Sequence, residues 1–166
     1  MNKVVSDLQA FVKPVEVHKQ TVNLKQLIVG LLGQIDVPAN VKTNMQVDDA
    51  LTADIDTQLL KRVLINLVTN AVQAMPEGGE LTIKTQTNNQ GQIQLIVEDT
   101  GVGIADEIKH KIFTPMFTTK SKGQGFGLAV CKRVLEAQGG TISFESQVGK
   151  GTRFTIELPL TNKKAP

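Results

Sequence analysis

A stripe of amide side chains marks one face of a long apolar helix predicted over Thr57–Met75. An asparagine offers an oxygen to a hard cation and an NH₂ group to phosphate oxygens, without adding negative charge. A face that serves only solubility normally carries Lys and Glu, so the amides favour a ligand site; a solvated face remains the alternative. The side chains that share this face by helical spacing are Arg62, Asn66, Thr69, Asn70 and Gln73.

A carboxylate followed by two glycines ends an apolar strand predicted over Gln92–Glu98. Asp99 can accept hydrogen bonds from an exocyclic amine such as that of an amino-purine. Gly101 and Gly103 allow the backbone to approach a flat ligand closely. The alternative is an ordinary Asp-Thr-Gly turn that leaves the strand.

A glycine-rich loop with two lysines precedes the next predicted helix, Phe126–Gln138. Backbone N–H groups of such a loop at a helix N-terminus can form a cradle for phosphate, although a flexible linker is the alternative. The loop is neither a P-loop nor a dinucleotide fingerprint, because both need other glycine spacings. Its chemistry-bearing residues are Lys120, Lys122, Gly123, Gly125 and Gly127. A last glycine pair, Gly149 and Gly151, precedes Thr152 and by itself indicates only a hairpin turn.

Helices and hairpins alternate along the chain without regular βαβ units. Residues 1–13 are predicted as an amphipathic helix ended by Pro14, and residues 14–23 as a linker. The remaining predicted helices are Leu24–Leu32 capped by Asn23, Thr57–Met75 capped by Asp56, Ala105–Phe113 and Phe126–Gln138. The predicted strands are Val41–Val47, Leu51–Ile55, Leu81–Thr87, Gln92–Glu98, Thr141–Glu145 and Thr152–Leu158. This order predicts an α+β fold, a two-layer sandwich whose largely antiparallel sheet has helices on one face.

The composition excludes several classes of protein. The chain has 166 residues, a formal net charge of +2 and a single cysteine, so an internal disulfide and a cysteine-built zinc site are excluded. Near-neutral charge and the absence of Trp and Tyr argue against nucleic acid as a partner. No apolar run is long enough to span a bilayer and no signal peptide is recognised, so we expect a cytoplasmic domain.

In this order, the four motifs resemble the N, G1, G2 and G3 boxes of the GHKL, or Bergerat-fold, ATP-binding family. The segment 112–120 is similar to the F box that sensor histidine kinases place between G1 and G2. The chain is therefore identified as resembling the catalytic ATP-binding domain of a bacterial-type two-component sensor histidine kinase. Gln-Ala-Met at residues 73–75 is similar to the nitrogen-regulatory type. The resemblance implies the Bergerat sandwich with a mixed, mostly antiparallel sheet and a flexible ATP lid.

The resemblance also implies a division of the chain. Residues 1–22 would be the remnant of the second dimerisation and phosphotransfer helix with a linker. Residues 23–160 would be the catalytic ATP-binding domain, and residues 161–166 a polar tail.

The resemblance assigns one set of residues to adenine. Asp99 would hydrogen-bond the adenine amino group, and Thr152 would lie beneath the base near Asp99. The glycines would bring the backbone to the ring, and the two aliphatic side chains would line the pocket. The whole set is Asp99, Gly101, Gly103, Ile104, Leu128 and Thr152.

A second set is assigned by the resemblance to the phosphates and the metal. Asn70 would ligate Mg²⁺, and Asn66 and Lys120 would be the catalytic residues at the phosphates. The lid glycines would donate N–H groups, and Phe113 and Phe117 would anchor the lid. The whole phosphate set is Asn66, Asn70, Lys120, Gly123, Gly125 and Gly127. The implied ligands are thus ATP and Mg²⁺.

The amide at position 66 implies which reaction follows. Hydrolysing members of the superfamily carry a glutamate there as general base, and an amide cannot take a proton at neutral pH. We therefore expect transfer of the γ-phosphoryl group to a protein nucleophile rather than to water. The family's phosphoacceptor motif is absent; His18 is interpreted as a linker residue and His110 as part of a solvated helix face.

The resemblance thus implies an ATP-dependent protein-histidine kinase whose acceptor histidine lies on the dimerisation domain of the same kinase. This fragment alone should not autophosphorylate. A response regulator receiver domain would be an indirect partner, and the full-length protein would be a homodimer, with membrane anchoring left open. Two alternatives stay open: a nucleotide-sensing interaction module without phosphotransfer, and a serine kinase of the anti-sigma-factor type.

Overall fold

The computed structural model describes residues 3–119, 125 and 127–159. Its helices are α1 (Lys3–Val12), α2 (Leu24–Leu32), α3 (Thr57–Gln73) and α4 (Gly127–Ala137), with a 3₁₀-helix at Asp106–Lys111. Its strands are β1 (Gln20–Asn23), β2 (Val41–Gln46), β3 (Thr52–Ile55), β4 (Gly79–Thr87), β5 (Ile93–Asp99), β6 (Thr141–Gln147) and β7 (Gly151–Glu157).

Five of these strands form one sheet in the order β2-β4-β5-β7-β6. The pair β2–β4 is parallel, and the other three pairs are antiparallel. The predicted mixed, mostly antiparallel sheet is therefore confirmed. The strand β5 is central, and its last residue, Asp99, pairs with Leu81 on one side and Thr152 on the other.

The two faces of this sheet differ in polarity, as strand alternation requires. One face packs against the helices and includes Leu81, Ile83, Leu95, Val97, Phe154 and Ile156, all buried in the hydrophobic core. The residues between them in sequence are mostly polar, as in Lys84 and Arg153, each of which forms an ion pair with Glu98. The predicted two-layer sandwich, with helices on one face of the sheet, is confirmed.

Both predicted helix caps are present. The Asn23 side chain accepts a hydrogen bond from the backbone N–H of Gln26 at the start of α2. The Asp56 side chain accepts from the N–H groups of Gln58 and Leu59 at the start of α3. Such caps satisfy backbone donors that have no partner within the helix.

Two secondary-structure predictions were wrong. Residues Gln20–Asn23 are not linker but strand β1, which pairs with β3 in a separate two-stranded sheet. Four residues with a single large apolar side chain, Val22, are too few to show alternation, and their partner lies about thirty residues away. The predicted helix Ala105–Phe113 is a 3₁₀-helix at Asp106–Lys111, where charged residues dominate and no side chain is buried.

The N-terminal segment is attached to α4. The guanidinium group of Arg133 donates to the Lys13 carbonyl at 2.8 Å and lies 5.2 Å from the centroid of the Phe11 ring. Phe11 packs against the core, whereas other apolar side chains of α1, such as Leu8 and Val12, are exposed.

The carboxylate of Asp56 joins this segment to α3. It accepts from the His18 N–H at 2.8 Å, in addition to the two cap hydrogen bonds, and the Asp56 N–H donates to the Gln138 side chain at 2.8 Å. Burial acts to raise the pKa of Asp56, but the three backbone donors, led by His18, outweigh it and hold the pKa below its ordinary value.

The hairpin between β4 and β5 closes through a turn at residues 88–92. The N–H of Asn88 donates to the Gln92 carbonyl at 2.9 Å, and the N–H of Gly91 donates to the Asn88 carbonyl at 3.0 Å. Asn89 at the tip is exposed. Among the described residues, no helix combines the length and apolar character needed to cross a membrane.

Candidate functional site

A buried carboxylate lies at the end of the central strand. Asp99 is only 6% exposed, and the equally buried Thr152 is its partner on β7. One oxygen of Asp99 accepts from the Gly101 N–H at 2.8 Å, which turns the chain sharply after the strand. At Gly151, a Cβ atom would overlap the Asp99 carbonyl, so the start of β7 must approach the end of β5 without a side chain. The sequence-predicted pair Asp99 and Thr152 is therefore adjacent.

The loop after β5 is held between α3 and the β6–β7 turn. A Cβ atom at Gly101 would overlap the main chain of Ala74, whose carbonyl accepts from the Val102 N–H at 2.9 Å. Gly103 has a φ of +76° and lies against the main chain of Gln147. Both glycines of the predicted motif are thus required by close backbone contacts, and Gly103 also by its left-handed conformation.

The loop continues into Ile104, which packs against the hydrophobic core. The Ile104 N–H donates to the Ser146 hydroxyl at 2.8 Å, and the Thr152 hydroxyl lies 2.8 Å from the same atom. No sequence prediction included Ser146. It is one of several polar residues on the edge strand β6, and nothing in the local pattern sets it apart.

The predicted amide stripe lies along α3. One end of it is next to the start of α4, and the other end is next to the loop after β5. Asn66, Asn70 and Ala74 follow one another at intervals of four residues, so they lie along one face over about 12 Å of helix axis. A Cβ atom at Gly127 would overlap the side-chain oxygen of Asn66. Ala74, at the other end, contacts Gly101. Asn70 lies between these two contacts and is partly buried.

The glycine-rich loop is described only in part. Gly125 has a φ of +76° and lies against the main chain of Met116, which is the one non-glycine residue with positive φ in the described part of the chain. Leu128 packs against the core. Lys120 and Gly123, and with them most of the predicted flexible lid, lie outside the described residues.

Two predicted lid anchors, Phe113 and Phe117, are partly buried and pack against the core. The Phe113 ring meets Phe144 edge to face, with centroids 5.8 Å apart, and the ammonium of Lys132 lies 5.9 Å from the Phe113 centroid. These contacts are those of a core residue at the boundary of the loop.

The described residues include neither a cluster of metal ligands nor a reactive cysteine. Within the described part of the chain, no three His, Cys, Asp or Glu side chains come together as a metal site. Cys131 is buried on α4, its Sγ donates to the Val63 carbonyl at 3.9 Å, and burial raises the pKa of its thiol to about 12. At neutral pH this thiol is therefore protonated and unreactive.

Comparisons with known proteins show which family the chain resembles. Residues 55–162 match the family described as histidine kinase-, DNA gyrase B-, and HSP90-like ATPase. The sensor histidine kinase ZraS of Escherichia coli (strain K12) is 39% identical over 96% of this chain, which spans 35% of ZraS. The chain thus corresponds to about a third of the length of this relative.

Solved structures show the same fold. The full-length kinase ShkA in complex with AMPPNP superposes with a TM-score of 0.82 at 25% identity, over 94% of this chain and 35% of ShkA. The catalytic domain of the histidine kinase ThkA has a TM-score of 0.73 at 31% identity, over 86% of this chain and 95% of that domain. ThkA has also been solved in complex with the response regulator protein TrrA, with a TM-score of 0.77 at 29% identity, over 98% of this chain and 48% of the matched chain.

The family match covers more than half of the chain, and the ThkA catalytic domain is matched over nearly its whole length. The structure brings Asp99 beside Thr152 and Gly127 beside Asn66, and that these residues bind a ligand stays a prediction. The chain therefore belongs to the histidine kinase-, DNA gyrase B- and HSP90-like ATPase family, and within it to the catalytic domains of histidine kinases.

Proposed function

We propose that this chain binds Mg-ATP and donates the γ-phosphoryl group to a histidine on the dimerisation domain of a sensor kinase. The observation that carries the proposal is a pair of contacts along α3. Gly127 contacts Asn66, and Gly101 in the loop after β5 contacts Ala74. This arrangement places a buried carboxylate at one end and a glycine-rich helix start at the other. A nucleotide can bind across such a site, with its base at the carboxylate and its phosphates at the helix start.

Asp99 recognises the base in this proposal. An ionised carboxylate is a pure acceptor, and the exocyclic amine of adenine is a pure donor, so the two groups match in a buried setting. Gly101 and Gly103 let the backbone lie against the ring. Ile104 and Leu128, which both pack on the core, supply apolar contact at the edge of the pocket.

Asn66 and the start of α4 hold the phosphates. The N-terminus of a helix favours anions because its first N–H groups lack partners within the helix. Gly127 is the first residue of α4 and borders the side-chain oxygen of Asn66, so the first N–H groups of α4 and the Asn66 amide lie at the same end of the site. Gly123, Gly125 and the cationic Lys120 complete the cradle as the lid.

The residues present fit a magnesium ion that is carried in by the nucleotide. With no cluster of acidic or histidine ligands among the described residues, the ion would take most of its oxygens from phosphate and water. Asn70, on the amide face of α3, would supply one side-chain oxygen. When bound, the ion neutralises phosphate charge that builds up during transfer.

The composition of α3 favours transfer over hydrolysis. From Thr57 to Gln73 the helix carries no acidic residue, so no carboxylate of α3 can activate water as a general base. Asn66 can position a phosphate but cannot take a proton. The γ-phosphoryl group is therefore held for a nucleophile that another domain brings, and positioning with charge neutralisation is the main task of this chain.

The acceptor is not one of the two histidines of this chain in our proposal. The ring of His18 is exposed, 3.8 Å from Glu16, and His110 is exposed on the 3₁₀-helix. Neither belongs to an element that carries a proposed nucleotide ligand. We assign the acceptor to a dimerisation domain of the same kinase, and we expect a response regulator to receive the phosphoryl group afterwards.

Calorimetric titration of the chain with ATP, with and without Mg²⁺, tests binding. We expect one-to-one binding that Mg²⁺ strengthens; the absence of binding would contradict the proposal. Incubation with a separately purified dimerisation domain that carries the histidine then tests transfer. Acid-labile phosphate on that domain supports the kinase, acid-stable phosphoserine on a partner would favour a serine kinase, and binding without any transfer would favour a nucleotide-sensing module.

A further inference from the structure

The hydroxyl of Ser146 joins the segments that surround the proposed base pocket. Its Oγ lies 2.8 Å from the Ile104 nitrogen, 3.0 Å from the Gly151 carbonyl and 2.8 Å from the Thr152 hydroxyl. The backbone of Ser146 is held as well, because Lys109 Nζ donates to its carbonyl at 2.6 Å. A single partly buried side chain therefore connects the loop after β5 to the start of β7.

Counting protons at this hydroxyl fixes the direction of each hydrogen bond. A serine hydroxyl has one hydrogen to donate and two lone pairs that accept. The Ile104 N–H can only donate, and the Gly151 carbonyl can only accept, so the hydrogen of Ser146 goes to Gly151. The contact with Thr152 must then be a bond in which Thr152 donates to Ser146.

The consequence for Thr152 is that its hydrogen is committed to Ser146. What Thr152 can present to any further group is a lone pair. It is the strand partner of Asp99, whose carboxylate oxygens are also acceptors. The floor of the proposed base pocket therefore offers two acceptors side by side.

We infer that Ser146 is a positioning residue that keeps Thr152 an acceptor and thereby selects a 6-amino purine over a 6-oxo purine. The inference rests on the proposed function. A 6-amino group carries two hydrogens and suits a pair of acceptors, directly or through one water. A 6-oxo group is itself an acceptor and is repelled by both. Without Ser146, the Thr152 hydroxyl can rotate and donate to a 6-oxo group, so discrimination decreases.

The test compares ATP with ITP, which differ at C6, where the amino group becomes an oxo group, and at the neighbouring N1, which gains a hydrogen. Affinities of both nucleotides are measured by calorimetry for the wild-type chain, Ser146→Ala, Ser146→Thr and the control Ser143→Ala. Ser143 lies on the same strand, is exposed and belongs to the opposite face of the sheet. We expect Ser146→Ala to decrease the ATP-to-ITP affinity ratio about fivefold or more, because it changes one hydrogen bond at the base. Ser146→Thr keeps a hydroxyl and should retain most of the wild-type ratio. Ser143→Ala should leave the ratio unchanged.

A merely structural role predicts a different result. If Ser146→Ala weakens ATP and ITP by the same factor, or leaves both unchanged, the inference is wrong. Thr152→Val provides a second test that does not depend on the folding of the Ser146 variants. It should also decrease the ratio, and the double variant should decrease it no further, because both changes remove the same interaction. Additive effects in this cycle would overturn the inference. A wild-type chain that binds neither nucleotide would instead refute the proposed function.

Discussion

Gly127 lies so close to Asn66 that a Cβ atom at position 127 would overlap the Asn66 side-chain oxygen. Gly127 begins α4, so its backbone is helical and would itself accept an alanine. The constraint is therefore one of space. It couples the start of one helix to an amide on another, at the end of the site that we assign to the phosphates.

Gly127→Ala should displace the Asn66 side chain and weaken ATP binding by about five- to tenfold, the loss of about one hydrogen bond. The overpacking itself should lower the free energy of unfolding by about 1–3 kcal/mol. Calorimetric affinity and thermal unfolding of the same sample measure the two effects separately. Gly30→Ala is the matched control, because Gly30 lies within α2 with no atom within 4 Å of the added Cβ. Unchanged ATP affinity in a folded Gly127→Ala variant would show that Asn66 does not contact the nucleotide.

Asp99→Asn should weaken ATP binding by about 1.5–3 kcal/mol, or about 10- to 150-fold, because it removes a charged acceptor. The amide oxygen can keep the hydrogen bond from the Gly101 N–H, which leaves the NH₂ group to face the adenine amine. The variant should therefore fold normally and fail in recognition. The exposed Asp36→Asn gives the same charge change as a control, and equal affinities for the two variants would place the adenine elsewhere.

Asn70→Ala should reduce the gain in ATP affinity that Mg²⁺ provides, with a smaller effect on binding in the absence of the metal. The reason is that the proposed metal ligand is lost while Asp99 and the loop after β5 are untouched. Titrations with and without Mg²⁺ give the ratio directly. Thr69→Ala, at the exposed neighbouring position on α3, should keep the wild-type ratio. A wild-type ratio for Asn70→Ala would remove Asn70 from the metal site.

Asp56→Asn keeps one oxygen for the helix cap but loses the charge and the second oxygen, which accepts from the His18 N–H, so it should lower the free energy of unfolding at pH 7 by about 1 kcal/mol. The lowered pKa of Asp56 sets the pH dependence of the difference. The ionised carboxylate stabilises the fold fully above the unfolded pKa of about 4, and this stability is lost as the pH falls through the folded pKa. Denaturant unfolding at several pH values should thus show the difference between variant and wild type shrinking in acid.

The same substitution should leave nucleotide affinity unchanged, since Asp56 is ten residues, or about 15 Å of helix, from Asn66. A difference in stability that stays constant between pH 7 and pH 3 would show that the carboxylate charge plays no part. The control Asp36→Asn should change neither the free energy of unfolding at pH 7 nor its dependence on pH.

The parts of the fold that local sequence signals determine were predictable. Helix caps at Asn23 and Asp56 and the apolar face of α3 are local signals, because a cap residue and the helix that it begins are adjacent in sequence. The strand β1 could not be predicted, since its pairing with β3 depends on a segment far along the chain. For the same reason the hydrogen bonds that join His18, Asp56 and Gln138 have no signature in the sequence.

Residue type singled out the glycines of the candidate site but not what lies against them. Gly101 and Gly103 were predicted to let the backbone approach a flat ligand; the structure has the main chains of Ala74 and Gln147 against them, and the contact with a ligand stays a prediction. Ser146 could not be found in this way, because its importance comes from three partners that two other segments, the loop after β5 and the start of β7, bring to one hydroxyl.

The hairpin turn at residues 88–92 offers a place to attach a reporter. Six residue steps of β5, or about 20 Å, separate Ile93 from Asp99, so a dye at the tip would not touch the proposed base pocket. Cys131 is the one cysteine of the chain, and with its buried thiol and a pKa of about 12 it would not react. An Asn89→Cys variant would therefore carry a single thiol open to maleimide labelling, and fluorescence anisotropy could then follow the docking of this domain onto a partner.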